Sequence, residues 1–104
     1  MNKNDQENLI LEENSLFMSS VRFSIMLILV RNKMIVFSEL QKLLSISSGK
    51  LTHHLTKLAE AGYIELRKSI FPSRPLTVIR ITNQGKKDFI EHINQLKTVL
   101  NKLD

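Results

Sequence analysis

The sequence predicts an α+β fold, mainly α, and three observations carry that reading. Apolar residues recur at helical spacing from Val21 to Ala61 and again beyond Gly85. Between Tyr63 and Ile81 the period changes to two, as in strands: Ile64, Leu66 and Lys68 alternate with Glu65, Arg67 and Ser69, and Thr77, Ile79 and Ile81 interleave with Val78 and Arg80. Glycine and proline are scarce and stand near the joints, at Gly62, at Pro72 and Pro75, and at Gly85.

Each element can be justified in order. Residues 6–18 read as a short helix with Leu9, Ile10, Leu16 and Phe17 as its apolar members. Ser19 or Ser20 can cap a second helix to about Asn32, since a short hydroxyl accepts from the free amides of a first turn. Val21, Ile25, Ile28 and Leu29 share one side, and Phe23, Met26, Leu27 and Val30 widen the stripe, so this helix should lie centrally in the core. Met34–Phe37 is a short apolar run of strand type. Ser38-Glu39-Leu40 has the order of a helix start, with cap, acid and first core residue. Leu40, Leu43 and Leu44 keep helical spacing until Ser45-Ile46-Ser47 breaks it. Ser47 can cap the next helix, about 47–61, and Gly62 stands where helices end in a left-handed residue. Two β-rich runs around the loop Phe71-Pro72-Ser73-Arg74-Pro75 read as a hairpin, about 64–81. Thr82 then caps a last helix whose Phe89, Ile93, Leu96, Leu100 and Leu103 follow a heptad seam.

Two short helices joined by a tight turn and followed by a hairpin describe a winged helix-turn-helix: a three-helix core plus a β-hairpin wing. The expected organisation is an N-terminal helix in 1–19, the winged domain in 20–82 and a C-terminal helix in 83–104.

The run FSELQKLLSISSGKLTHHLTKLAEAGYIE, residues 37–65, resembles the helix-turn-helix of MarR- and ArsR-type regulators, above all the short winged-helix proteins of archaea and bacteria. Ile81-Thr82-Asn83-Gln84-Gly85 is similar to that family's threonine-x-x-glycine helix start, and the likeness covers roughly residues 20–95. It implies DNA binding, a dimer, the 47–61 helix in the major groove and the hairpin as a wing.

The residues can be read without the family. At ~100° per step, Leu51, Leu55 and Leu58 fall in one sector and face the core. Opposite lie Gly49, His53, Thr56 and Glu60, flanked by Lys50, Thr52 and Lys57, with Ser48 near the helix start. The face is polar and rich in donors. Lysines can neutralise phosphates or reach guanine acceptors, and threonines can offer a hydroxyl or a methyl to a base edge. In the hairpin, Arg67, Lys68, Arg74 and Arg80 supply cations, and Arg74 stands in a loop stiffened by two prolines. The candidate DNA contacts are Ser48, Lys50, Thr52, His53, Thr56, Lys57, Lys68 and Arg74. The azimuth of His54 borders the core, which fits a paired structural histidine better than a contact. Arg22, in a first helical turn, opposes the dipole and needs a partner of its own, such as a phosphate or a carboxylate.

The terminal helices carry more apolar residues than a small core can take. Leu9, Phe17, Phe89, Ile93, Leu96, Leu100 and Leu103 are therefore the candidates for a homodimer interface. A pocket between the terminal helices of such a dimer could hold a small apolar effector, but no residue demands one.

Charge and composition narrow the function classes. Lys and Arg number 15 against 10 acids, net +5. Residues 1–14 hold Lys3 against Asp5, Glu7, Glu12 and Glu13, net −3, so the remainder carries +8 and points to a polyanion. The absence of cysteine removes disulfides and thiolate chemistry and fits a reducing cytoplasm. The apolar stretch Phe23–Val30 is far below the ~20 residues that span a bilayer. No nucleophile–base set, paired carboxylates or phosphate-cradling glycine loop points to an enzyme, and no metal or cofactor is expected. One Tyr and no Trp speak against the stacking surfaces of RNA modules. The rival reading is a winged-helix protein–protein interaction module, against which the basic helix and wing both argue.

Overall fold

The computed structural model describes residues 15–70 and 75–103. A 3-10 turn, Ser15–Phe17, leads into α1 (Ser20–Asn32), β1 (Met34–Val36), α2 (Phe37–Leu44), α3 (Ser48–Glu60), β2 (Ile64–Ile70), β3 (Pro75–Ile81) and α4 (Asn83–Asn101). Of the helix expected over 6–18, only this closing turn falls within the described residues; Leu9 and Ile10 lie outside them.

Helix ends are where sequence chemistry acts most directly. Ser19 caps α1, its hydroxyl accepting from the Arg22 amide at 3.2 Å, and Ser47 caps α3, accepting from the Lys50 amide at 3.2 Å. Thr82 caps α4 by accepting from the Gly85 amide at 2.9 Å, while its own hydroxyl donates to the Gly62 carbonyl at 2.7 Å. Gly62 has φ +82°, the left-handed conformation expected of it. The expected Ser38 cap is corrected: α2 begins at Phe37, and its cap position is Val36, with no side-chain bond. The reason is that Val36 still pairs with Val78 in the sheet, so the chain passes from strand to helix with no residue between. Glu39 in the first turn offsets the dipole there.

The sheet has the order β1–β3–β2, antiparallel throughout. Ile79 of the central strand lies between Ile35 and Leu66. Alternation sends Ile35, Ile64 and Ile79 inward, and all three are buried. They meet Ile25, Met26 and Leu29 of α1, Leu40 of α2, and Leu51, Leu55 and Leu58 of α3. Full burial of each aliphatic side chain contributes about 1.5–3 kcal/mol, so the three leucines alone hold α3 firmly against the domain.

Two residues assigned from sequence to a dimer interface belong to this core instead. Phe17 and Phe89 are each 1 % exposed and stack edge-on, with ring centroids 5.2 Å apart. Phe17 also lies 4.9 Å from the Tyr63 ring. The core thus reaches past residue 82 and takes in the first half of α4, where Gly85, Phe89 and His92 are buried. From Ile93 onward α4 has no buried residue; Ile93 and Leu96 are half-buried, and Leu100 and Leu103 are exposed. No helix among the described residues is long and apolar enough to cross a membrane.

Candidate nucleic-acid interface

The site is built on α3. With Leu51, Leu55 and Leu58 at 0–1 % exposure, the opposite face is obliged to stand in solvent. Ser48, Lys50, Thr52, His53, Thr56 and Lys57 are all exposed, so the structure brings all six α3 candidates onto one rigid surface. Gly49 stands among them, and a Cβ there would meet nothing within 4 Å. Basic groups near the helix start have no acidic neighbour in the first turn of α3.

Lys68 joins this surface from the wing. It lies across from Thr77 on the sheet face that carries Ile64 and Ile79. A cavity of about 530 Å³ separates this part of the wing from α3, lined by Phe37, Thr52, Leu55, Leu66, Lys68 and Thr77. Thr52 and Lys68 therefore border the same groove. The other wing cations divide differently. Arg67 and Arg80 lie on the opposite face of the sheet, and Arg67 pairs with Glu65 at 3.4 Å. Arg74 lies outside the described residues.

The paired role expected for His54 holds, and it solves the puzzle of Arg22. The Arg22 guanidinium donates to Nδ1 of His54 at 2.9 Å and through Nε to the Leu16 carbonyl at 2.6 Å. The partner is thus an imidazole, not the phosphate or carboxylate expected from sequence. Burial first, then the positive charges of Arg22, His53 and Lys50, push the His54 pKa below its ordinary value. A neutral imidazole with a free Nδ1 is the form that can accept this bond. The His53 and His54 rings are 5.4 Å apart at 65°, and no group of residues that could hold a metal ion occurs among the described residues.

The burial of His92 is not anticipated from sequence. It is fully buried among Phe17, Phe23 and Phe89, with ring centroids 5.4–6.3 Å away, and neither ring nitrogen has a partner among the described residues. Burial pushes its pKa down. Its spacing from Phe89, three residues along one helix, was the available signal.

Comparison with known proteins agrees with this geometry. Residues 21–100 match the family model of a winged helix DNA-binding domain. An uncharacterised protein of Methanocaldococcus jannaschii is 37 % identical over 81 residues, covering 78 % of this chain and 88 % of that protein. The structure of a transcriptional regulator homologue from Pyrococcus horikoshii OT3 superposes with a TM-score of 0.90 at 30 % identity, over 96 % of this chain and 98 % of that one. A mutant of MarR from E. coli shares the fold, with a TM-score of 0.70 at 17 % identity over 99 % of this chain and 82 % of that one. Reduced AbfR bound to DNA does likewise, with 0.73 at 17 % identity over 90 % and 64 %. The chain belongs to the winged helix DNA-binding domain family and shares its fold with MarR.

Proposed function

We propose that the protein is a sequence-specific regulator of transcription that binds double-stranded DNA as a homodimer. In this reading α3 enters the major groove and the wing lies on the adjacent backbone or minor groove. The observation that carries the reading is the outer face of α3: six exposed polar or basic side chains on a helix whose other face is locked by three leucines. Thr52, Thr56 and His53 suit base edges, and Lys50, Lys57 and Lys68 suit phosphates, with Ser48 at the helix start and Arg74 at the wing tip. The structure of reduced AbfR bound to DNA supports the reading, since that protein shares this fold. A protein-interaction module would have no use for so many donors and cations on this one face.

Dimerisation rests on the exposed half of α4. Leu100 is 58 % exposed and continues the heptad seam of Ile93 and Leu96, and Leu103, 68 % exposed, lies in the turn just after α4. Leu9 is the N-terminal member of the same proposal.

A filter-binding titration at several salt concentrations tests the function. If a dimer neutralises ~6–10 phosphates, log affinity falls against log salt with a slope of about −5 to −9. Thr52→Ala or His53→Ala relaxes discrimination between a selected site and scrambled duplex, at about 1–3 kcal/mol for the affected base pair. Lys57→Ala weakens both duplexes alike. A flat salt response, or no retention of duplex at low salt, rejects the reading.

A further inference from the structure

The wing sheet has a second basic face that the DNA surface of α3 does not use. Strand register places Arg80 opposite both Glu65 and Met34, and Arg67 opposite Val78, on the side away from Lys68. Here a groove of about 490 Å³ opens between the end of α1, the sheet and the start of α4. Lys33, Arg67, Arg80 and Lys86 converge on it, and all four are exposed.

The position of Lys33 is set by the backbone. It ends α1 at φ 69°, its amide donates to the Leu29 carbonyl at 2.7 Å, and its carbonyl accepts from the Ile81 amide at 3.0 Å. A residue at the end of a helix is thereby stitched to the strand beside Arg80. Lys86 lies in the first turns of α4, whose first turn has no acidic residue although the dipole favours one there. Among the described residues Glu65 is the single carboxylate lining the groove, and it is engaged by Arg67. Four cations against one acid leave about three positive charges gathered in water, a surface that repels itself until an anion covers it.

We propose that this groove is a second phosphate-binding surface, which holds another duplex and lets one protomer bridge two DNA segments. This rests on the DNA-binding reading of α3. Exposed, flexible cations in an open groove suit a repeating phosphate backbone, which needs charge more than fixed geometry. The groove opens on the face of the sheet opposite the one that Lys68 shares with α3. The groove lies at the base of the wing, between α1, the sheet and α4 and turned from α3, and a duplex with a persistence length of ~500 Å stays straight where α3 holds it, so the occupant assigned to this groove is a separate segment.

The test immobilises one short duplex on beads and measures capture of a second, fluorescent duplex by the protein. Affinity for a single duplex is measured in parallel for the wild type and for Lys33→Gln with Lys86→Gln. Two lost phosphate contacts remove about 1.8 from a log–log salt slope, or roughly tenfold over a fourfold change of salt. Between two salt concentrations fourfold apart, the ratio of wild-type to double-variant capture therefore changes about tenfold, while the variant's affinity for a single duplex stays within about twofold of wild type. Circular dichroism confirms its fold. No capture by the wild type, or equal capture by the variant, overturns the second surface. Loss of single-duplex binding by the wild type rejects the α3 reading instead.

Discussion

The same substitution at two glycines should change stability in opposite directions. Gly49 and Gly85 both lie in the first turn of a helix, where alanine is intrinsically better by about 0.5–1 kcal/mol. At Gly49 a Cβ meets nothing within 4 Å, so Gly49→Ala keeps that gain. At Gly85 a Cβ would overlap the Tyr63 carbonyl oxygen and approach its carbonyl carbon and Cα to 2.9 Å. These are backbone atoms, and they are held in place. The Tyr63 carbonyl accepts from the Thr82 amide at 3.0 Å, the Tyr63 amide donates to Leu58 at 3.0 Å, and the neighbouring Gly62 carbonyl accepts from Thr82. Overpacking costs about 1–3 kcal/mol, and each bond lost adds about 0.5–1.5 kcal/mol. Set against the helical gain, Gly85→Ala should destabilise by about 2–4 kcal/mol. In a domain of this size that lowers Tm by roughly 10–20 °C, whereas Gly49→Ala raises it by a few degrees. Thermal melts followed by circular dichroism, at one protein concentration, read both shifts. A Gly85→Ala protein as stable as wild type would show that α4 does not dock on Tyr63 as described. If Gly49 lets backbone approach a phosphate, the more stable Gly49→Ala protein should also bind DNA less tightly.

Stability should fall with acid. The folded-state pKa of His92 lies below its unfolded value of 6.5, so the unfolded chain binds more protons as pH drops through that value, and the slope reaches at most about 1.36 kcal/mol per pH unit. Urea unfolding at pH 5 and pH 7.5 should show the loss; His92→Leu should shrink it and add about 1–3 kcal/mol at either pH by removing two buried nitrogens that have no partner among the described residues, and an unchanged pH dependence in that variant would reject the assignment to His92. Light scattering at micromolar concentration should give twice the chain mass of 12.0 kDa. Leu100→Asp with Leu103→Asp should halve it without loss of the monomer fold, since both side chains are exposed within the chain; a mass already near 12.0 kDa in the wild type rejects the dimer.

Much of this molecule is legible in its sequence because local chemistry decides it. Ser47, Gly62 and Thr82 mark helix ends through groups within three residues of themselves. The leucine spacing in α3 is enough to assign its two faces. What could not be read is whatever depends on meeting a distant residue. Phe17 and Phe89 are apolar members of terminal segments, and nothing local says that they meet each other and Tyr63 rather than a second chain. Lys33 and Lys86 share a groove only because β3 brings α4 back to the end of α1. Arg67 and Lys68 are neighbours in sequence and serve opposite faces, which alternation implies once the register is known.

Arg22 shows how a local anomaly can point to a distant contact. A cation in the first turn of α1 works against the helix dipole, so its position calls for a compensating partner. That compensation comes from two places at once: a carbonyl at Leu16, just after the acidic N-terminal residues, and the imidazole of His54 on α3. The second bond fixes a ring whose neighbour, His53, stands on the face proposed to meet DNA. The first bond ties the same guanidinium to the turn that seats Phe17 against Phe89 of α4. One side chain thus joins the recognition helix to the segment through which the terminal regions enter the core. A shift of that segment cannot leave Arg22 in place without breaking a bond of 2.6 Å to a backbone carbonyl, and moving Arg22 releases His54. Both hydrogen bonds are donated by a charged group and are partly shielded from water, which makes them stronger than neutral bonds at the surface.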